Sequence, residues 1–241
     1  MRIYLINLRV VRKRLAALVV FLFVLSVLVT GVNVTDYYID AAANPTLPKI
    51  IIDAGHGGED SGAVGEGDVY EKDLNLALAF EIGNQLKAKG YTVIYTRTED
   101  KLLYTEDQNI KGMRKLYDLK NRCAVANEEE NAIFISIHMN SYGGSQYSGL
   151  QVYYTDKNDE SRALANSIQK SVCEDLQKDN NRKIKNGKGF YILDNCKATS
   201  VIIECGFMTN KEELQKLSEK EYQKQLSFAI ICGIIEYINT N

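Results

Sequence analysis

The sequence predicts an α/β fold, with a mostly parallel central sheet of about six strands flanked by helices, forming a single domain behind an N-terminal hydrophobic segment. Three observations carry this. Short apolar runs such as Ile50-Ile51-Ile52 and Ile133-Phe134-Ile135-Ser136-Ile137 suit strands buried on both faces. Stretches of helical period separate these runs, so strands and helices alternate along the chain. Glycine and polar clusters mark the boundaries between them.

The elements follow in order. Asn44 to Lys49, with Pro45 and Pro48, leads into a first strand from Lys49 to Asp53. Ala54 to Tyr70 is rich in Gly, Asp and Glu and is expected to be loop throughout. A helix begins at Glu71 and runs to about Lys89, with Leu74, Ala77, Leu78, Ile82 and Leu86 on one stripe and Gly90 ending it. Tyr91 to Thr96 is a second strand, and residues 98–113 are polar and irregular. A helix over Arg114 to Asn127 precedes the third strand, Ala132 to His138. The Gly/Ser loop from Ser141 to Ser148 leads to a fourth strand, Leu150 to Tyr154, and then a helix from Ser161 to Leu176. After the basic polar stretch Lys178 to Lys188, Gly189 to Leu193 and Ser200 to Glu204 read as two further strands, and Lys211 to Tyr237 as a helical tail.

Residues 1–48 do not fit this domain. Arg9, Arg12, Lys13 and Arg14 make residues 1–14 a basic flank, and residues 15–35 are uncharged and largely apolar. About 20 apolar residues span a bilayer, against about 7 to 15 in a signal-peptide core. That length favours a signal anchor, whereas Ala41-Ala42-Ala43 offers a signal-peptidase site, so both fates stay open. In either case the basic flank stays in the cytoplasm. Residues 36–48 are then a linker and residues 49–241 an extracytoplasmic domain. The composition, 45% hydrophobic and 25% charged, is ordinary for a globular protein, and the net charge of −2 argues against nucleic acid as partner. Five cysteines, an odd number without a CxxC pair, read as buried small hydrophobes.

The two histidines of the chain, His56 and His138, both fall at carboxyl ends of expected strands, where open α/β sheets place their ligands. The simplest joint use is one metal ion. A catalytic zinc takes three protein ligands, His₂Glu among the known sets, and keeps a fourth position open. The third ligand must fold back over the strand ends. Glu59, Asp60, Glu66, Asp68 and Glu71 qualify by position, and Glu71 is preferred because a helix start fixes its direction. Glu204 ends the buried run Val201-Ile202-Ile203, where a carboxylate is rare unless paired or functional. Beside a metal it suits general acid–base work in a hydrolase.

At these residues the chain resembles the zinc-dependent N-acetylmuramoyl-L-alanine amidases of bacterial cell walls. The likeness covers about Lys49 to Tyr237. It rests on DAGHGGEDSGA (Asp53–Ala63), EKDLNL (Glu71–Leu76), Thr96-Arg97, Arg122 with Asn127, FISIHMN (Phe134–Asn140) and ECGFMTN (Glu204–Asn210). It implies that His56, Glu71 and His138 bind Zn²⁺, that Glu204 is the catalytic glutamate, and that the substrate is peptidoglycan, cut between the lactyl group of N-acetylmuramic acid and L-alanine. Asn140 and Arg97 also match; Asn140 is a candidate substrate contact, and Arg97 either that or a structural charge partner. Thr199-Ser200 departs from a usual Pro-Ala pair. Within the family, KLYDLKNR (Lys115–Arg122), Ser148 to Gln151 and Asn181 to Lys185 point to the spore-cortex type, whose action leads to muramic-δ-lactam and whose place is between the forespore membranes.

Three rival readings follow from the same residues. They are a zinc peptidase acting within the stem peptide, an inactive wall-binding domain, and a cysteine hydrolase pairing His138 with Cys123 or Cys205. Strand alternation turns Cys205 away from the face used by Glu204. Met139 to Ser148 leaves no room for an autoinhibitory helix, so control is expected from the hydrophobic segment, from timing, or from an activating protein partner, which would act on Thr98–Met113 or Gly57–Tyr70.

Overall fold

The structure, a computed structural model, describes residues 47–241. The hydrophobic segment and most of the linker expected from the sequence lie outside the described residues. Among the described residues no helix is long and apolar enough to cross a membrane.

The sheet has six strands: β1 (Lys49–Ala54), β4 (Val93–Tyr95), β5 (Ala132–Asn140), β6 (Gln151–Tyr154), β7 (Lys185–Asn186) and β8 (Thr199–Phe207), in the order β4-β1-β5-β8-β6-β7. From β4 to β8 all pairings are parallel, and β6 runs antiparallel to β8. The helices are α1 (Glu71–Ala88), α2 (Arg114–Asn127), α3 (Asp159–Asp175), α4 (Tyr191–Asn195), α5 (Lys211–Ser218) and α6 (Lys220–Thr240).

Side-chain alternation divides the apolar runs between two cores. Ile50, Ile52, Ile135, Ile137, Val201 and Ile203 join one side, under α1, α3 and α6. Ile51, Phe134 and Ile202 join the other, with Cys123, Ala126, Ile192 and Leu193 from α2 and α4. Strands covered on both faces must be apolar at consecutive positions, hence the Ile-Ile-Ile run. Burying a Leu or Ile side chain of this kind contributes about 1.5–3 kcal/mol. All five cysteines are free; the sulfurs of Cys123 and Cys196 lie 3.3 Å apart in the smaller core.

The structure corrects the sequence reading in four places. Gly189 to Leu193 is not a strand. Ile192 and Leu193 are both buried in the same core, which needs a helical turn rather than alternation, and Tyr191 to Asn195 form α4. The sixth strand is instead Lys185–Asn186, paired with β6. The loop from Ala54 to Tyr70 contains a small hairpin, β2 (Val64–Gly65) with β3 (Val69–Tyr70). The helical tail is two helices, because Glu219 adopts an extended backbone (φ −86°, ψ 124°) between them.

Candidate metal centre

The carboxyl ends of β1, β5 and β8 define the site. Parallel pairing brings Ala54 of β1 opposite Ile137 of β5, and His138 opposite Glu204 of β8. His138 thus lies within β5, two residues before its end, because the strand continues to Asn140. His56 follows β1 by two residues and has φ +62°, a left-handed backbone conformation costing a non-glycine residue roughly 1–3 kcal/mol.

A buried ion network holds that turn. Arg122 of α2, 1% exposed, donates to Asp53 Oδ1 (2.6 Å), to the Ala54 carbonyl (2.6 Å), to the His56 carbonyl (2.7 Å) and to Asp118 Oδ2 (2.8 Å). The hydroxyls of Thr96 and Ser136 donate to the two Asp53 oxygens, each at 2.6 Å. Burial would raise the Asp53 pKa, but Arg122 and these hydroxyls override it and hold the carboxyl below its usual value. Arg97 is also buried. Its guanidinium donates to the carbonyls of Ala54, Gly55, Lys72 and Glu99. It therefore braces the β1 turn against the start of α1, with its donors engaged by backbone rather than turned to a substrate.

Glu71 is the first residue of α1, and almost wholly buried. Its Oε1 lies 3.1 Å from both His56 Nε2 and His138 Nδ1, and accepts from the Met139 amide at 3.1 Å; Oε2 accepts from the Ala63 amide at 2.8 Å. One ligand atom from each of His56, Glu71 and His138 lies within 4.8 Å of the others. Two glycines make the close packing possible. A Cβ at Gly55 would collide with the His138 ring, and one at Gly62 would sit 2.6 Å from Glu71 Oε2.

Of the remaining loop carboxylates, Glu59, Asp60 and Glu66 have other partners, and Asp68 neither joins the cluster of three nor lines the cleft around it. Glu59 pairs with Arg114 (2.7 Å) and Glu66 with Lys211 (2.8 Å). Asp60 Oδ2 lies 2.9 Å from His56 Nδ1 and 2.9 Å from Lys115 Nζ. A carboxylate on the far ring nitrogen of a histidine fixes the ring and presents the other nitrogen to a metal. With no metal bound, burial opposes protonation of His56, yet Asp60 and Glu71 together raise its pKa to about 9. Burial likewise works against the Glu71 carboxylate, and the two histidines overcome it to hold the pKa well below the usual range.

Glu204 lines the same cleft, of about 490 Å³, with His56, Glu71, His138, Asn140, Lys115 and Phe190. Its Oε2 is buried with no hydrogen-bond partner among the described residues. Burial, aided by Glu71, raises its pKa. Cys205 is fully buried in the larger core and Cys123 in the smaller one, and neither lines the cleft. Two imidazoles and one carboxylate, open on the cleft side, form a donor set suited to a divalent transition-metal ion. Glu204, with its orphaned oxygen, lines the cleft beside these donors. Asp60 as a histidine anchor, and Lys115 and Phe190 as cleft walls, were not singled out from the sequence. The quoted KLYDLKNR stretch contains Lys115, but no local pattern connects it to His56.

Residues 50–236 match the Amidase_3 family, described as N-acetylmuramoyl-L-alanine amidase. The germination-specific N-acetylmuramoyl-L-alanine amidase of Bacillus subtilis is 37% identical over 194 residues, which are 80% of this chain and 81% of that protein. The N-acetylmuramoyl-L-alanine amidase LytC of the same organism is 32% identical over 197 residues, 80% of this chain and 36% of that longer protein. Among solved structures, the CwlD amidase from Clostridioides difficile in complex with the GerS lipoprotein aligns with TM-score 0.77 at 35% identity, over 80% of this chain and all of that one. The matched span contains His56, Glu71, His138, Glu204 and the network that braces them. The chain belongs to the Amidase_3 family of N-acetylmuramoyl-L-alanine amidases.

Proposed function

We propose that the protein is a zinc-dependent amidase that cuts peptidoglycan between the lactyl carbonyl of N-acetylmuramic acid and L-alanine, with His56, Glu71 and His138 holding the ion. The observation that carries this reading is the convergence of those three donors next to the unpartnered carboxylate of Glu204. A zinc ion held there supplies a Lewis acid for the amide carbonyl and makes water a better nucleophile near neutral pH. Asp60 orients the His56 ring through Nδ1. Glu204 takes a proton from the attacking water at its free oxygen and delivers it to the departing alanine nitrogen. Its burial suits both halves of that task, since a raised pKa makes the carboxyl a better acid once protonated. Asn140, at the cleft edge, contacts the substrate.

The likeness to the germination-specific amidase supports a role in the spore cortex, on the route to muramic-δ-lactam, in the space between the forespore membranes. Peptidoglycan lies outside the cytoplasm, which agrees with residues 15–35 acting as a membrane anchor or cleaved signal. The Clostridioides difficile relative, solved with a lipoprotein, supports a protein partner for this chain as well. Mass spectrometry of peptidoglycan fragments treated with the zinc-loaded protein tests the activity. Free lactyl carboxylate paired with new L-alanine amino termini is the expected product. New termini inside the stem peptide would make the protein a peptidase.

A further inference from the structure

Apart from its two histidines, the cleft is lined by acidic and neutral side chains except at one point. Among the described residues that line it, Lys115 is the single Lys or Arg. The cations around it are engaged elsewhere. Arg114 binds Glu59 and Asn109, Lys72 binds Asp100, and Arg97 is spent on backbone carbonyls. Lys115 is the second residue of α2, and its one salt bridge is with Asp60, at 2.9 Å, with its side chain 63% exposed. An ammonium has three donors, so two remain free to face the cleft.

Its reach is set by the contacts already described. Asp60 Oδ2 joins Lys115 Nζ to His56 Nδ1 at 2.9 Å on each side. Adding the width of the imidazole ring, the ammonium lies within roughly 8 Å of His56 Nε2, the span of about two residues of extended chain. In a stem peptide cut at its first amide, the residue two positions along is D-glutamate. Its α-carboxylate is free in some cell walls and amidated in others.

Resting on the amidase reading above, we propose that Lys115 is a specificity-determining residue: it pairs with the free α-carboxylate of the second stem residue and selects acidic stems over amidated ones. Lys115 does not touch the reacting atoms. Its Asp60 contact keeps the ammonium near the cleft in the free protein, and exchange to a substrate carboxylate trades one ion pair for another at a lysine whose own side chain is mostly exposed.

The test uses the full-length, zinc-loaded protein and two soluble muramyl peptides that differ only at the second residue, D-glutamate against D-isoglutamine. The wild type is expected to favour the acid by about tenfold in kcat/KM, a ratio typical of one charge-assisted hydrogen bond. In Lys115→Gln that ratio should fall to near one, and in Lys115→Arg most of it should remain. The same two peptides titrated against Glu204→Gln, with and without Lys115→Gln, give the binding preference without turnover. Zinc content of each sample separates recognition from damage to the Asp60–His56 pair. Equal handling of both peptides by the wild type would overturn the proposal while leaving the amidase reading intact. So would a preference that survives in Lys115→Gln, or loss of zinc with the ratio unchanged. Failure of the wild type to release lactyl carboxylate from either peptide would instead defeat the amidase reading.

Discussion

Glu204 separates chemistry from architecture at the scale of one residue. Glu204→Gln keeps the volume and the polar head but accepts no proton from water. Turnover should fall by about 10² to 10⁴ with zinc content and melting temperature unchanged, as for loss of a general acid–base group. A fall in zinc content would make Glu204 a ligand, and a fall in melting temperature alone a structural residue. His56 offers a second check. Metal-free, it holds a proton up to about pH 9, because Asp60 and Glu71 face its two nitrogens. A metal takes only the neutral imidazole, so zinc binding at pH 7.5 should release a proton, and affinity should rise with pH. Calorimetry in two buffers of different ionisation enthalpy measures that proton. The same raised pKa stabilises the metal-free fold below the unfolded value of 6.5, a contribution lost as pH climbs towards about 9.

At the scale of elements, α2 is tied to the end of β1 by charge. Arg122 is the largest fully buried polar side chain of the domain and bridges Asp53, Asp118 and two carbonyls of the turn that carries His56. Removing one member of such a network leaves uncompensated buried charge. Arg122→Met should therefore cost about 3–5 kcal/mol, read by denaturant unfolding. The sign of the pH effect follows from Asp53. Its pKa is depressed in the fold, so the stability it contributes is present above the unfolded value of 3.8 and is lost as pH falls through the lower folded value. Without Arg122 the largest opposing influence on burial disappears, and acid unfolding should begin at a higher pH than in the wild type. Unchanged acid midpoints would mean that the hydroxyls of Thr96 and Ser136 suffice.

For the whole molecule, the domain presents its cleft at the carboxyl edge of a sheet covered on both faces, and the prediction at this scale concerns topology. The basic flank should remain in the cytoplasm with residues 49–241 outside. Protease added to intact protoplasts should digest the domain if residues 15–35 anchor it, or find it already released if they are cleaved. A full-length domain protected from protease would defeat export.

The sequence by itself determined the elements whose signals are local. The Ile50–Ile52 run, the helix over Arg114 to Asn127 and the apolar strand ending in His138 were legible because burial on two faces or one imposes a period on neighbouring residues. His56, Glu71 and His138 were legible because only two histidines exist and Glu71 opens a helix. Contacts between distant segments decided the rest. Tyr191 to Asn195 became a helix because Ile192 and Leu193 must both reach the face shared with Cys123, whereas five residues of mixed polarity carry no period of their own. Lys185–Asn186 became the sixth strand because β6 offered it an edge, not because of its own side chains. Arg97 turned inward onto four carbonyls, and Asp60 came to sit between His56 and Lys115, 55 residues further along. Such pairings depend on where the backbone returns in space, and the energy that selects them is spread over the whole core rather than written in any one stretch.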